Sequence, residues 1–277
     1  MKIGIIGSGT MGVGIAEAIL MESEYEVYLC NVRPTSLEKA YNKICSYFEH
    51  LINKGIMDEG KMKTCLDNLH IGPVSDCDDC DLIIESVPEN LEIKRMIFRN
   101  LSRIAKSSCI FATNTSSLSI SRLEEGLDRH IIGMHFFNPA QRMKLVEVVR
   151  SEKTPEELVG RVMTITKSIG KTPIEVKEYP GFVVNRILIP MINEAINVYA
   201  EGTATAEDID IAMQLGASHP MGPLHLADLI GLDICLAIME VIYAETNDDK
   251  YAPCPLLYEM TKNGKLGRKT GEGFFTY

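Results

Sequence analysis

Short apolar runs and longer amphipathic stretches take turns along the first part of this chain. Runs over residues 2–6, 26–30, 69–71, 81–85 and 109–112 have the length and bounded apolar character of buried strands. Between them, residues 15–20, 35–54, 58–66 and 90–105 carry helical spacing. In the last of these, Ile93, Ile97, Leu101 and Ile104 fall on one face. Such alternation predicts a mainly parallel sheet covered by helices on both faces. It persists to about residue 176. From Gly181 onward the pattern is helical: 182–199, with Pro190 inside it, then 206–215 behind a capping Thr205, then 232–244. The expected architecture is therefore α/β over residues 1–180 and all-α over 181–277, with the boundary near Tyr179-Pro180-Gly181.

The first strand runs directly into Gly7-Ser-Gly9-Thr10-Met11-Gly12, and a helix follows. In a strand–GxGxxG–helix context each glycine has a task. Gly7 makes the tight turn, Gly9 lets backbone approach a pyrophosphate, and Gly12 allows close helix–strand packing. The helix N-terminus then presents unpaired N–H groups to the anion. This predicts a Rossmann-type dinucleotide site that includes Thr10 and Met11. The second strand departs from the usual pattern. It ends at Asn31, where an NAD site normally places Asp or Glu on the ribose diol, and Arg33 follows. An uncharged residue removes repulsion toward a 2′-phosphate, and a nearby arginine can bind one. The expectation leans toward NADP(H) or dual use. The alternative is that Asn31 still binds a 2′-hydroxyl and Arg33 is simply solvated.

Later motifs carry polar chemistry. Ile132-Gly-Met-His135-Phe-Phe-Asn138-Pro139 reads as a strand stopped by proline, and Lys144-Leu-Val-Glu147-Val-Val149 as a returning strand. That geometry would bring the Glu147 carboxylate back to the His135 ring, giving a general acid/base pair that works near neutral pH. Without it, His135 is a core histidine with a satisfied ring. Thr113-Asn114-Thr115-Ser116-Ser117 follows a strand end, where open α/β sheets place ligands, and it also suits helix capping. Glu89 and Lys94 follow the preceding strand in the same manner. Asn185 sits in an apolar helix face, where it needs a partner.

Composition narrows the class. A net charge of -10 argues against nucleic acid as a general partner. No run reaches the roughly 18 apolar residues that span a bilayer. With the glycine motif starting so early, no signal peptide is expected. The 8 cysteines, scattered through apolar contexts, suggest reduced thiols and a cytoplasmic location. Cys77-Asp-Asp-Cys80 has CxxC spacing without a second pair for zinc, so a surface loop is expected and no metal site.

Read together, these motifs resemble the L-3-hydroxyacyl-CoA dehydrogenases, and among them the short bacterial members that act on 3-hydroxybutyryl-CoA. The likeness spans nearly the whole chain. It adds Pro180-Gly-Phe-Val-Val-Asn185-Arg186, His219-Pro-Met-Gly-Pro223, Gly231-Leu-Asp233 and Gly267-Arg-Lys-Thr-Gly-Glu-Gly-Phe274 to the motifs above. It implies a Rossmann-type domain, a helical dimerisation domain and reversible oxidation of a 3-hydroxyacyl-CoA to the 3-ketoacyl-CoA. His135 would then be the acid/base and Glu147 its partner, with Ser116 and Asn185 bonding the reacting oxygen. Glu89, Lys94, Asn114, Asn138 and Lys269 would line the nicotinamide side. Lys54 matches a lysine that meets coenzyme A phosphates, or is an ordinary solvated lysine at a helix end. The departure is Asn31, where the family commonly has Asp. Two rivals share parts of the pattern: a dehydrogenase of a free hydroxy acid such as L-gulonate, and a crystallin-like dinucleotide-binding protein.

Overall fold

A computed structural model describes residues 1–277. The chain divides into two compact units, Met1–Glu178 and Tyr179–Tyr277.

The first unit is built on one eight-stranded sheet, ordered β3-β2-β1-β4-β5-β6-β7-β8. Its strands are β1 (Lys2–Ile6), β2 (Glu26–Cys30), β3 (Leu69–Gly72), β4 (Leu82–Glu85), β5 (Ile110–Thr113), β6 (Ile131–Phe136), β7 (Leu145–Arg150) and β8 (Thr172–Lys177). Every pairing is parallel except β6 with β7. Helices α1 (Thr10–Glu22), α2 (Pro34–Asn53), α3 (Glu59–Asp67), α4 (Leu91–Ile104), α5 (Ile120–Glu124) and α6 (Glu156–Ser168) connect them. The strand order reverses between β1 and β4, which creates the switch-point crevice of a doubly wound sheet. β4, β5 and β6 are buried along their whole length, as apolar runs covered on both faces must be.

Two local expectations fail for identifiable reasons. The buried stripe of α4 is Lys94, Phe98 and Leu101, while Ile93 and Ile104 are exposed. Asn90 caps the helix by accepting from the Ile93 N–H at 3.0 Å, and Lys94 is affordable inside because its ammonium finds the Glu85 carboxylate. Side-chain hydropathy alone put the isoleucines inward. Cys77 and Cys80, expected on a surface loop, are buried against β1 and β2. Cys77 Sγ lies 3.3 Å from Cys30 Sγ, in space that Gly4 leaves open. The intervening Asp79 reaches outward to Lys2 and Lys106.

The second unit is helical: α7 (Val184–Ala200), α8 (Ala206–Gly216), α9 (Pro223–Ile230), α10 (Leu232–Thr246) and α11 (Pro255–Lys262). Ile189, Ile192, Ile196, Leu224, Leu232, Met239 and Ile242 form its core. Helix α7 begins two residues later than its apolar pattern suggests, because Phe182 has φ 53° and cannot continue a right-handed helix. Thr205 caps α8 as expected. Asp228, fully buried, accepts from the Phe274 and Phe275 N–H groups at 3.0 Å and from the Tyr277 hydroxyl at 3.1 Å. It pins the C-terminal strap in place.

One buried carboxyl in the first unit sets a pH dependence. Glu17 on α1 is 4% exposed, and burial pushes its pKa up from 4.5 to about 7 despite the attraction of Lys43. The folded state therefore holds this proton more tightly than the unfolded chain does. Stability is unaffected below the unfolded pKa and falls as pH rises through the folded one, by on the order of 3 kcal/mol at most. Glu17→Gln should raise the thermal midpoint by several degrees at pH 8 and hardly at all at pH 5. An equal shift at both pH values would contradict this origin.

Candidate active site

The C-terminal ends of the parallel strands gather the polar residues. Ile6 pairs in register with Cys30 on one side and Glu85 on the other, and Glu85 with Thr113. At the end of β1, Gly7 turns with φ 114°, and a side chain there would strike the Ser86 carbonyl. A side chain on Gly12 would overlap the Gly7 carbonyl. Gly9 differs: a Cβ there meets nothing within 4 Å, and its φ of −78° suits any residue. It is the N-cap of α1 and, as glycine, has no side chain to cap the helix N-terminus. The steric need at Gly7 and Gly12 is thus intramolecular, while Gly9 faces open space of the kind a pyrophosphate fills. The loop fits a dinucleotide. Thr10 is exposed and Met11 half-buried beside it.

Asn31 closes the loop from β2. Its Nδ2 donates to Ser8 Oγ at 2.7 Å, and its Oδ1 accepts from the Arg33 N–H at 3.0 Å. The amide therefore ties the glycine loop to the start of α2. Arg33 itself is exposed, as is Lys54 at the far end of α2.

Across the switch point stands a network of which Glu89, Lys94 and the 113–117 run are only part. Lys94 Nζ donates to both oxygens of Glu85 at 2.8 and 2.9 Å, and lies 3.3 Å from Glu89 Oε2. Thr113 Oγ1 donates to Glu85 at 2.7 Å. The 113–117 run does not cap α5; Ser119 does that. Instead one oxygen of Glu89 receives the Thr115, Ser116 and Ser117 hydroxyls and the Ser116 and Ser117 N–H groups, at 2.6–3.2 Å. Burial pushes the Glu89 carboxyl up, but Lys94 and these donors outweigh it and hold it below the usual carboxylate range. Glu85 is not among the residues the sequence motifs single out, yet it anchors this network. An acid closing an apolar strand, with a lysine nine positions on, was the available signal.

β6 and β7 complete the arrangement. They pair antiparallel with His135 opposite Glu147. His135 Nδ1 and Glu147 Oε2 are 2.7 Å apart, both side chains buried. A carboxylate at Nδ1 fixes the ring and keeps a proton on that nitrogen. Asn114 Oδ1 accepts from the Phe136 N–H at 2.9 Å, linking β6 to the 113–117 turn. Asn138 lines a shallow cavity with Thr10, Glu17, Lys43 and Gln141. In the helical unit, Asn185 is buried in the first turn of α7, and Lys269 is paired with Asp233.

Residues 2–179 match the model for the 3-hydroxyacyl-CoA dehydrogenase NAD binding domain, and residues 181–277 the model for the 3-hydroxyacyl-CoA dehydrogenase C-terminal domain. The chain belongs to the 3-hydroxyacyl-CoA dehydrogenase family. Like the family, it has an NAD-binding domain and is an oxidoreductase. A 3-hydroxybutyryl-CoA dehydrogenase of Clostridioides difficile is 46% identical, over 100% of this chain and 99% of its own length. A probable 3-hydroxybutyryl-CoA dehydrogenase of Deinococcus radiodurans is 45% identical, over the full length of both. The crystal structure of the (S)-3-hydroxybutyryl-CoA dehydrogenase of Ralstonia eutropha superposes with a TM-score of 0.96 at 43% identity, covering 100% of this chain and 98% of that one.

The glycine loop gives a clean test of the dinucleotide site. Gly9→Ala should keep the parent's melting temperature, since its Cβ meets no protein atom. It should weaken dinucleotide binding by about tenfold or more, because the methyl occupies the approach path. Unchanged affinity by titration calorimetry would remove Gly9 from the site.

Proposed function

We propose that this dehydrogenase interconverts (S)-3-hydroxybutyryl-CoA and acetoacetyl-CoA, with His135 as the acid/base and Glu147 as its partner. The observation that carries the reading is the buried, cross-strand His135–Glu147 pair on the sheet that bears the glycine loop. The names of the relatives supply the substrate class. In the oxidation direction His135 accepts the 3-hydroxyl proton as the hydride leaves C3. In reduction it returns a proton to the carbonyl oxygen. Glu147 keeps the ring oriented and balances the imidazolium formed on the way. The nicotinamide, when bound, accepts or returns the hydride. The resemblance assigns Ser116 and Asn185 a hydrogen bond to the reacting oxygen, where charge develops; the Ser116 hydroxyl gives it by turning from Glu89, which keeps the Ser116 N–H. Glu89, Asn114, Asn138 and Lys269 are assigned to the cofactor, and Lys94, buried beneath them, to the same task through the Glu89 carboxylate it holds. Lys54, exposed and cationic, is assigned to the coenzyme A phosphates.

Cofactor choice turns on Asn31. Its side chain is uncharged and engaged with Ser8 and Arg33, so it brings no charge to repel a 2′-phosphate, and Arg33 stands exposed nearby. This supports use of NADPH beside NADH. The chain further acts as a homodimer through its helical domain, where Ile187, Ile211, Leu215 and Leu229 are exposed apolar side chains. A monomer in sedimentation at micromolar concentration would refute that assignment.

Two kinetic measurements test the mechanism. With acetoacetyl-CoA, His135→Gln should lose about 100- to 10,000-fold in kcat while retaining dinucleotide affinity. Undiminished turnover would exclude the acid/base role. Asn31→Asp should lower kcat/KM with NADPH by about tenfold relative to NADH, as a carboxylate would then face the 2′-phosphate. An unaltered ratio would show that Asn31 does not set the preference.

A further inference from the structure

The cluster at the ends of β4 and β5 holds more negative charge than its own stability requires. Lys94 is 1% exposed and is fully served by Glu85, whose two oxygens lie at 2.8 and 2.9 Å, and by the Val87 carbonyl at 3.3 Å. Glu85, 0% exposed, is in turn served by Lys94, the Thr113 hydroxyl at 2.7 Å and the Val87 N–H at 2.6 Å. One buried ion pair with satisfied lone pairs is complete at that point. Yet a second carboxylate, Glu89, is drawn to the same ammonium at 3.3 Å with its side chain 34% exposed. Its other oxygen is locked by donors from Thr115, Ser116 and Ser117. Two carboxylates and one ammonium leave one net negative charge, fixed in place at the rim.

The position of that charge gives it a target. A dinucleotide in a doubly wound sheet lies across the switch point, over the carboxyl ends of the strands. Its adenosine half belongs with the residue ending β2, which is Asn31. Its nicotinamide half therefore lies on the β4–β5 side, where Glu89 faces out. The oxidised nicotinamide ring carries a positive charge and the reduced ring carries none. A fixed anion at a partly desolvated rim attracts the first and is indifferent to the second.

We propose that the Glu85–Lys94–Glu89 triad, through its single uncompensated negative charge, makes this site bind the oxidised dinucleotide more tightly than it otherwise would relative to the reduced one. The inference rests on the dinucleotide site assigned above and deepens it: Glu89 sets redox-form preference as well as position. It predicts that the net charge of the triad, and no individual hydrogen bond, governs the ratio of the two affinities.

The test is to measure dissociation constants for NAD+ and NADH by calorimetry on the full chain, without acyl-CoA, so that an error in the substrate assignment is read separately. Glu89→Gln keeps acceptors for the 115–117 donors and removes the charge. It should shift the ratio of the two constants by about tenfold toward NADH. In the charge-conserving Glu89→Asp, and in Glu85→Gln combined with Lys94→Gln, which leaves the net charge at one, both constants should rise as the site loosens, but their ratio should stay within about twofold of the parent's. If that double variant does not fold, the Gln and Asp variants at position 89 decide alone. A parent-like ratio in Glu89→Gln, or the same shift in Glu89→Asp, overturns the proposal.

Discussion

The hydrogen-bond ladder of the eight-stranded sheet is the constraint on which the rest of the first unit depends. Backbone groups buried between layers of helix have to pair, and pairing in parallel register brings strand ends to a common edge. That is why Gly7, Asn31, Glu85 and Thr113, far apart in the chain, lie along one rim. The single antiparallel pairing, β6 with β7, has the opposite effect. It folds the chain back so that a residue twelve positions on stands directly across from His135. The placement of the glycine loop and that of the His135–Glu147 pair are both consequences of one ladder.

Charge is distributed along that rim with an evident division. Toward β2 a neutral amide and hydroxyl, Asn31 and Ser8, are bonded to one another, with the exposed Arg33 beside them. Toward β4 and β5 they are ionic, with Lys94 between two carboxylates. The buried members are paired and fully bonded, which is the condition under which charges persist in an interior. Glu17 on α1 is the exception. No cation neutralises it at close range, and its proton is held up to about pH 7 instead. The same physics thus has two outcomes in one unit: a lone carboxyl whose proton affinity is raised by burial, and an ion cluster stabilised by donors.

Periodicity made the alternating strands and helices legible, because burying one face of a helix or both faces of a parallel strand leaves a repeat in the residues themselves. The helical character of the second unit was legible for the same reason, along with Thr205 as a cap. Where reading failed, a long-range partner had overridden a local preference. Lys94 took an inward place that hydropathy gives to Ile93, since Glu85 awaited it. Cys77 and Cys80 went inward because Gly4 and Cys30 left room. Phe182 delayed α7 by adopting a left-handed backbone.

By itself, then, the sequence determined the class of fold, the glycine loop and the residue types available for acid/base chemistry, since each is written in local spacing. Tertiary structure decided which of those residues meet. The 2.7 Å contact of His135 with Glu147 exists only through strand register. The gathering of Thr115, Ser116 and Ser117 onto Glu89 exists only because β4 and β5 end side by side. Distances between groups far apart in the chain are fixed by packing and pairing, and neither leaves a periodic trace in the residues it joins.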